Sequence, residues 1–346
     1  MHKDILIVGR GLAGTLLSYF CKLQGKSYLI IDQSSPGKAS SIAAGMFTPI
    51  SGKRMAKSWM AETLIPFATQ TYIAIEKLLE TKLLHNQQIY QVFSSIKEQN
   101  DFAARLDQAD FASYLNPHPL PYPHAVEPFG AFEVNQSGWV NLPAMLSGFE
   151  QLLLQEDSLE NEAFNHQALN IENNQWHYAQ YTFGNVAFCE GHQYRHNPYF
   201  NFIPYTPTKG EVLTIRCNGL ETERIIKKGL YLVSIGNDCY KAGATYDYIH
   251  SQHPNPTPQG LDELVEKIRT ITNLPFEVIK HESGIRPTAK DRRPIAGEHP
   301  QHKNLYILNG LGTKGVMVGP WVAHKLVKNI FDKEPLIPEI RVSRFI

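Results

Sequence analysis

The spacing of hydrophobic positions changes period several times along the chain, and each change predicts an element. Ile5, Leu6, Ile7 and Val8 are apolar in succession, the pattern of a strand buried on both faces. Gly9, Gly11 and Gly14 follow at once, and Leu16, Leu17 and Phe20 then share one face at helical spacing. SYLIID is a second buried strand. A long helical period runs through WMAETLIPFATQTYIAIEKLLETKL, where Pro66 is expected to start or kink the helix. QIYQVFSSI and GAFEVNQSGWV read as strands, and the proline-rich YLNPHPLPYPHAVEP between them must be irregular. VNLPAMLSGFEQLLLQ predicts a helix with Pro143 in its first turn. Short strand patterns come next in QWHYAQYTF, NVAFCEG, GEVLTIR, GLYLVSI and CYKAGATYD. LDELVEKIRTIT is an amphipathic helix, NLYILNG a buried strand, and GVMVGPWVAHKLVKNIF a closing helix.

Strands alternate with helices towards both ends, whereas 205–249 is rich in strands. This order predicts an α/β chain with an antiparallel sheet inserted into a nucleotide-binding domain. The nucleotide domain is then discontinuous, at 1–85, 138–204 and 280–346, and the substrate domain takes 86–137 and 205–279. A length of 346 residues is enough for two such units.

Charge adds an exclusion. Lys plus Arg and Asp plus Glu each total 33, so no overall field favours nucleic acid or a membrane surface. The basic stretch GKRMAK at 52–57 reads as a solvated face. MHKD leads directly into the first strand with no signal-type apolar segment, and no run approaches a membrane span, so a cytoplasmic location is expected. Cys21, Cys189, Cys217 and Cys239 are widely separated, which suits reduced thiols better than a disulfide framework. His192 and His196 in HQYRH run into Asn197 and Pro198, so a loop is expected there and no metal site.

The three glycines form G-x-G-x-x-G between a strand and a helix. In that position Gly9 makes the tight turn, Gly11 admits a pyrophosphate to the backbone, and Gly14 lets helix and strand pack closely. Phosphates would sit on the free amides of the helix N-terminus, with Leu12 and Ala13 in its first turn. Asp32 ends the second strand eighteen residues after Gly14, where a carboxylate holds ribose hydroxyls and disfavours a 2′-phosphate. A dinucleotide other than NADP is expected.

After Asp32 comes QSSPGKASSIAAGMFTP, with small residues dominating 39–45. It resembles the A-S-x-x-A-A-G-M segment of the D-amino-acid oxidase superfamily, in its glycine-oxidase-like and sarcosine-oxidase-like branch. Further matches stand in order along the chain. SGIRPTAKDRRPIAGEHP carries G-x-R-P as Gly284, Ile285, Arg286 and Pro287, then Asp291, Pro294 and Gly297. NLYILNGLGTKGVMVGP carries Asn304, Leu305 and Tyr306, then Gly310, Gly315 and Pro320. GLYLVSIGNDCYKAGATYD is similar to the family's Y-I-x-P followed by G-A-T, TKGEVLTI to its R-G-Q-L-L strand, and FGNVAFCEG to the strand that ends in A-G. The chain departs from the pattern at Leu311, often His in the family, at Cys189 and Glu190 before Gly191, and at Ser234 in place of proline.

The resemblance implies a Rossmann-type, glutathione-reductase-like FAD domain and a helix-flanked substrate sheet. It implies noncovalent FAD, since no cysteine lies near the G-x-R-P position used by relatives with attached flavin. The implied FAD contacts are Gly9, Gly11, Leu12, Ala13 and Gly14, then Asp32, Gln33, Ser40, Ser41, Ala44, Gly45 and Met46. Gly191, Gly310, Gly312, Thr313, Lys314, Gly315 and Val316 complete them. Arg286 would hold a substrate carboxylate by a bidentate fork, with the Tyr231 hydroxyl beside it; Tyr246 is a weaker candidate. Other readings stay open for each. Arg286 could pair with Asp291 or Glu282, Tyr231 could be a packed strand residue, and Lys314 a solvated loop lysine. The implied activity is oxidation of the C–N bond of a small amine or amino acid by hydride transfer to flavin N5, with dioxygen or another acceptor taking the electrons. Alternatives are an oxidase of the carboxymethylamino group on a modified tRNA uridine, and a flavin-binding module without turnover.

Overall fold

The computed structural model describes residues 1–346 apart from 34, 53–54, 107 and 221–222. Of the basic stretch at 52–57, Lys53 and Arg54 therefore lie outside the described residues. The strand His2–Val8 is the centre of a first sheet. Tyr28–Ile31 and Tyr181–Phe188 flank it in parallel, with Ile7 opposite both Ile30 and Ala187. Leu159–Glu160 and Leu305–Asn309 extend the parallel order on either side. Ile5 and Ile7 face one side, where Leu16, Leu17, Val322 and Leu326 bury them. Leu6 and Val8 face the other, with Phe188, Phe200 and Ile307. Both faces are covered, which is why the apolar run is continuous rather than alternating.

Four helices, Leu12–Leu23, Ala61–Leu79, Leu142–Gln155 and Gly315–Asp332, pack into the first of these clusters. The fully buried Tyr72 ties two of them together by donating its hydroxyl hydrogen to the Val316 carbonyl at 2.9 Å. Asn141 caps the third helix by accepting from the Ala144 amide at 3.2 Å, with Pro143 in the first turn as expected.

Two local expectations are corrected. Pro66 does not start its helix, which begins at Ala61 and continues to Leu79 with the proline in its second turn. Proline there deprives only the Glu62 carbonyl of an amide, and Glu62 lies in the first turn with its residue exposed to solvent. QWHYAQYTF is not one strand but the bend of a hairpin between Gln175–Tyr178 and Tyr181–Phe188, with Tyr178 opposite Tyr181 and Ala179 at φ 49°. The helix Ile96–Leu106 is an element beyond those predicted.

The second sheet has the order Glu277–Arg286, Thr208–Arg216, Cys239–Gly243, Leu230–Gly236, Ile225–Lys228, Ile89–Val92, Ala131–Val134 and Leu115–Asn116. It is antiparallel at every joint but one, where Ile225–Lys228 runs parallel to Ile89–Val92. Glu277–Arg286 passes straight through the expected boundary at 280 and pairs along its length with Thr208–Arg216. One face of this sheet is closed by the helix Pro258–Arg269, with Leu264 and Ile268 against Leu213, Leu232 and Tyr240. Val212, Tyr231 and Gly243 therefore look out from the other face. The HQYRH segment forms a short 3₁₀ turn, Gly191–His196, with His192 buried; among the described residues no three His, Cys, Asp or Glu groups converge to hold a metal ion. Among the described residues, no helix is long and apolar enough to cross a membrane.

Candidate active site

A continuous cavity of about 580 Å³ runs from the glycine turn to the open face of the second sheet. At its first end the chain bends at Gly9, φ 102°, where a side chain would begin 2.6 Å from the Cys189 carbonyl oxygen. Gly14 lies beneath that turn, its Cα facing the Gly9 carbonyl so closely that a Cβ would fall 1.9 Å from the oxygen. The Arg10 amide donates to Asp32 Oδ1 at 2.9 Å, and Lys38 Nζ pairs with Oδ2 at 2.5 Å. Glu190, one of the departures from the family pattern, is engaged by His166 Nε2 at 2.8 Å and by the Asn197 amide group at 2.6 Å, so it anchors the turn 191–196. Cys189 also borders the cavity, and burial, with Glu190 beside it, pushes its thiol well above the ordinary range.

The far end is built by strand register. Gly284 lies opposite Gly210, Val212 opposite Gly243, Gly243 opposite Tyr231, and Tyr231 opposite Lys227. Directly opposed residues point to the same face, so these side chains form one floor. Arg286 lies over it. A Cβ on Gly210 would fall 2.0 Å from an Arg286 Nη atom, so only glycine leaves room for the guanidinium. Arg286 Nη1 donates to the Lys209 and Thr245 carbonyls at 3.4 and 3.3 Å, and the guanidinium stacks 4.6 Å from the centroid of Tyr246. Its two sequence-level competitors are occupied: Asp291 pairs with Arg344 at 2.7 Å, and Glu282 with Lys280 and Lys241. Burial pushes Tyr231 up to about 12 against the pull of the nearby Arg286 charge, so its phenol is neutral and able to donate at neutral pH.

Beneath the floor a buried cluster stiffens the same strand. Glu211 Oε1 forms an ion pair with the wholly buried Lys209 ammonium at 2.9 Å and accepts a hydrogen bond from the Thr257 hydroxyl at 2.9 Å. His281 Nε2 stands 2.7 Å from Oε2. Burial pushes Glu211 up, but the Lys209 ammonium and the Thr257 hydrogen bonds outweigh it and hold the carboxyl below its usual range. The Glu211 amide donates to Thr245 Oγ1 at 2.9 Å, so the cluster fixes both residues whose carbonyls receive Arg286.

Of the predicted residues, Gly9, Gly11, Leu12, Ala13, Asp32, Gln33, Ser40, Ala44, Gly45, Met46, Gly191, Gly312, Thr313, Gly315, Val316, Tyr231 and Arg286 border the cavity. Four expected contacts do not. Gly14 is sealed under the turn, Ser41 faces solvent, and Gly310 packs on Ile295. Lys314 turns away to donate to Ser51 Oγ and Ser58 Oγ, both at 2.9 Å. Desolvation, with the charges of Lys227 and Arg293, lowers Lys314 to about 8.

A family model described as FAD dependent oxidoreductase, DAO, matches residues 4–328. The chain belongs to this family. This FAD-dependent oxidoreductase is 25% identical over 151 residues to the tRNA 5-methylaminomethyl-2-thiouridine biosynthesis bifunctional protein MnmC of Marinobacter nauticus, a match covering 40% of this chain and 24% of that relative. Its fold is shared by the iminodiacetate oxidase IdaA from Chelativorans sp. BNC1, with TM-score 0.77 and 20% identity over 99% of this chain and 98% of that one. The glycine oxidase from Bacillus cereus is also similar, with TM-score 0.77 and 20% identity over 96% of both chains.

The residues present fit the family's FAD. The cavity starts where Gly9 and Gly11 leave backbone bare, passes the Asp32 carboxylate, and reaches the N-terminus of Gly315–Asp332, whose positive dipole end suits negative charge. Asp32→Ala in this oxidoreductase is expected to weaken FAD roughly tenfold or more, because one charge-assisted hydrogen bond is worth about 1.5–3 kcal/mol. Titration of the apoprotein with FAD, followed by quenching of flavin fluorescence, checks it.

Sequence reasoning missed Lys227, which lines the cavity beside Tyr231. A signal was present. Gly229, at φ 70°, joins Ile225–Lys228 to Leu230–Gly236, and recognising that hairpin sets Lys227 across from Tyr231. Lys38 and Glu190 were missed although Asp32 and Asn197, which they engage, lie only six and seven residues away, because the sequence of a loop does not fix which way its side chains turn.

Proposed function

We propose that this protein oxidises the C–N bond of a small amine bearing a carboxylate. The observation that carries this reading is Arg286. It is a guanidinium at the end of the FAD cavity with no ion-pair partner among the described residues and a neutral phenol nearby. Its planar fork matches a carboxylate by two parallel hydrogen bonds. Tyr231 adds a donor to the same group. Together they fix the substrate by one end and thereby orient its Cα–H, which is the larger part of what the protein must contribute. When bound, the flavin would supply a two-electron acceptor: the substrate carbon yields a hydride, its nitrogen a proton, and the imine takes up water to release a carbonyl product and the nitrogen as ammonia or an amine. The N-terminus of Gly315–Asp332 offers amides and a dipole to the negative charge that accumulates on reduction. Dioxygen or another acceptor removes the electrons.

Anaerobic mixing of the holoenzyme with glycine, sarcosine, proline and D-amino acids tests the proposal. Bleaching of the yellow flavin band by at least one of them is expected. A band that no amine bleaches would instead favour a flavin-binding module. The partial likeness to the MnmC relative favours a second reading, oxidation of a carboxymethylamino group on a modified tRNA uridine. The balanced charge of the chain speaks against an RNA partner.

A further inference from the structure

One cation suffices to hold one carboxylate, yet the cavity floor carries two. Lys227 lines the same cavity as Arg286, on the strand directly across from Tyr231. Gly210, over which Arg286 lies, is separated from Lys227 by the strands of Gly243 and Tyr231, three strand spacings or about 14 Å across the sheet, and is two residues along its strand from Val212, which lies in line with Lys227, so the two positions stand about 16 Å apart. The floor between them is the cavity wall.

The other charged groups nearby are already satisfied. Lys241, on the same face as Gly243, pairs with Glu282 at 3.5 Å and donates to the Ile42 carbonyl at 3.0 Å. Lys314 is held by Ser51 and Ser58. The cavity's acids, Asp32 and Glu190, sit at the opposite end and are engaged by Lys38 and His166. Lys227 alone among these lysines has no hydrogen bond or ion pair from its ammonium among the described residues. Glu98 acts on it only through its charge, and desolvation lowers it from the ordinary lysine range. An ammonium withdrawn from water without a counter-ion is costly, and an anion arriving in the cavity offsets that cost.

We propose that the substrate carries a second acidic group and that Lys227 binds it, so that the preferred donor is a dicarboxylic amine held at one end by Arg286 and at the other by Lys227. This rests on the amine-oxidation reading for its chemistry, but the two-anion site can be tested without turnover. Holoenzyme is titrated with thiodiacetate, a diacid whose sulfur replaces the amine nitrogen, and with methylthioacetate, its monoacid counterpart; perturbation of the flavin absorption band reports binding. Thiodiacetate is expected to bind at least ~10-fold more tightly, the scale of one charge-assisted contact. Lys227→Met removes that advantage, and Lys227→Arg keeps most of it. In turnover, the KM for iminodiacetate lies ~10-fold or more below that for sarcosine, and the ratio moves towards one in Lys227→Met. Equal binding of the two thioethers by the wild-type protein overturns the proposal. So does an equal loss for both in Lys227→Met, which would place Lys227 against the cofactor instead. If no amine bleaches the flavin while thiodiacetate still binds through Lys227, the two-anion site stands and the amine-oxidation reading falls.

Discussion

Arg286→Ala is expected to raise the KM for a carboxylate-bearing amine by roughly 30-fold to 4,000-fold, the range set by about 2–5 kcal/mol for truncating one partner of a buried charge pair. Flavin content should change little. The reason lies in how the residue is held. Its guanidinium contacts two carbonyls at 3.3–3.4 Å and a tyrosine ring, and no acid among the described residues depends on it. Removing it leaves no unpaired buried carboxylate in the protein, so the loss falls on the substrate rather than on the fold. Arg286→Lys should recover only part, because a point charge cannot make two parallel hydrogen bonds. Steady-state KM and kcat, measured beside the ratio of flavin to protein absorbance, check the prediction. A KM unchanged in Arg286→Ala would remove the basis for the substrate placement.

Gly14→Ala is expected to be among the most damaging small substitutions at the described residues. A Cβ there would fall 1.9 Å from the Gly9 carbonyl oxygen, which is backbone and cannot rotate aside. The first helix must then move off the first strand, and the turn that offers amides to a pyrophosphate opens. Forced overpacking of this kind costs roughly 3 kcal/mol, about 4 °C in melting temperature for a chain of this size. FAD should be lost with it. Gly11→Ala makes the informative comparison. Its Cβ would meet only Ser40 Oγ, at 3.4 Å, so the apoprotein should melt as the wild type does while FAD affinity falls. Thermal melts with and without added FAD separate the two cases. A Gly14→Ala protein that melts like wild type and is purified yellow would overturn this account of the turn.

Much of the cofactor end was legible because its signals are local. Four apolar residues, a glycine turn and a helical period lie within about twenty residues, and each reports backbone geometry in its own neighbourhood. The loop containing Ser40, Ala44, Gly45 and Met46 was legible for a similar reason: small residues in succession mark backbone exposed to a ligand, and those four positions do border the cavity. Lys314 shows the limit. Its neighbours Thr313 and Gly315 face the cavity, yet its own side chain is drawn off by Ser51 and Ser58, more than 250 residues away. The hairpin at Ala179 was hidden because the turn carries none of the Gly or Asn residues that usually accommodate a positive φ.

By itself, then, the sequence determined the βαβ unit at the start, the alternation of elements, the absence of a dominant charge and the residue types a flavin and a carboxylate require. Only the tertiary structure decided which charges are free. Arg286, Asp291, Glu282, Lys241 and Lys314 look alike along the chain, and three-dimensional pairing leaves Arg286 open while occupying the rest. Periodicity describes the face on which a side chain lies, whereas its electrostatic state depends on groups that folding brings beside it from far along the chain.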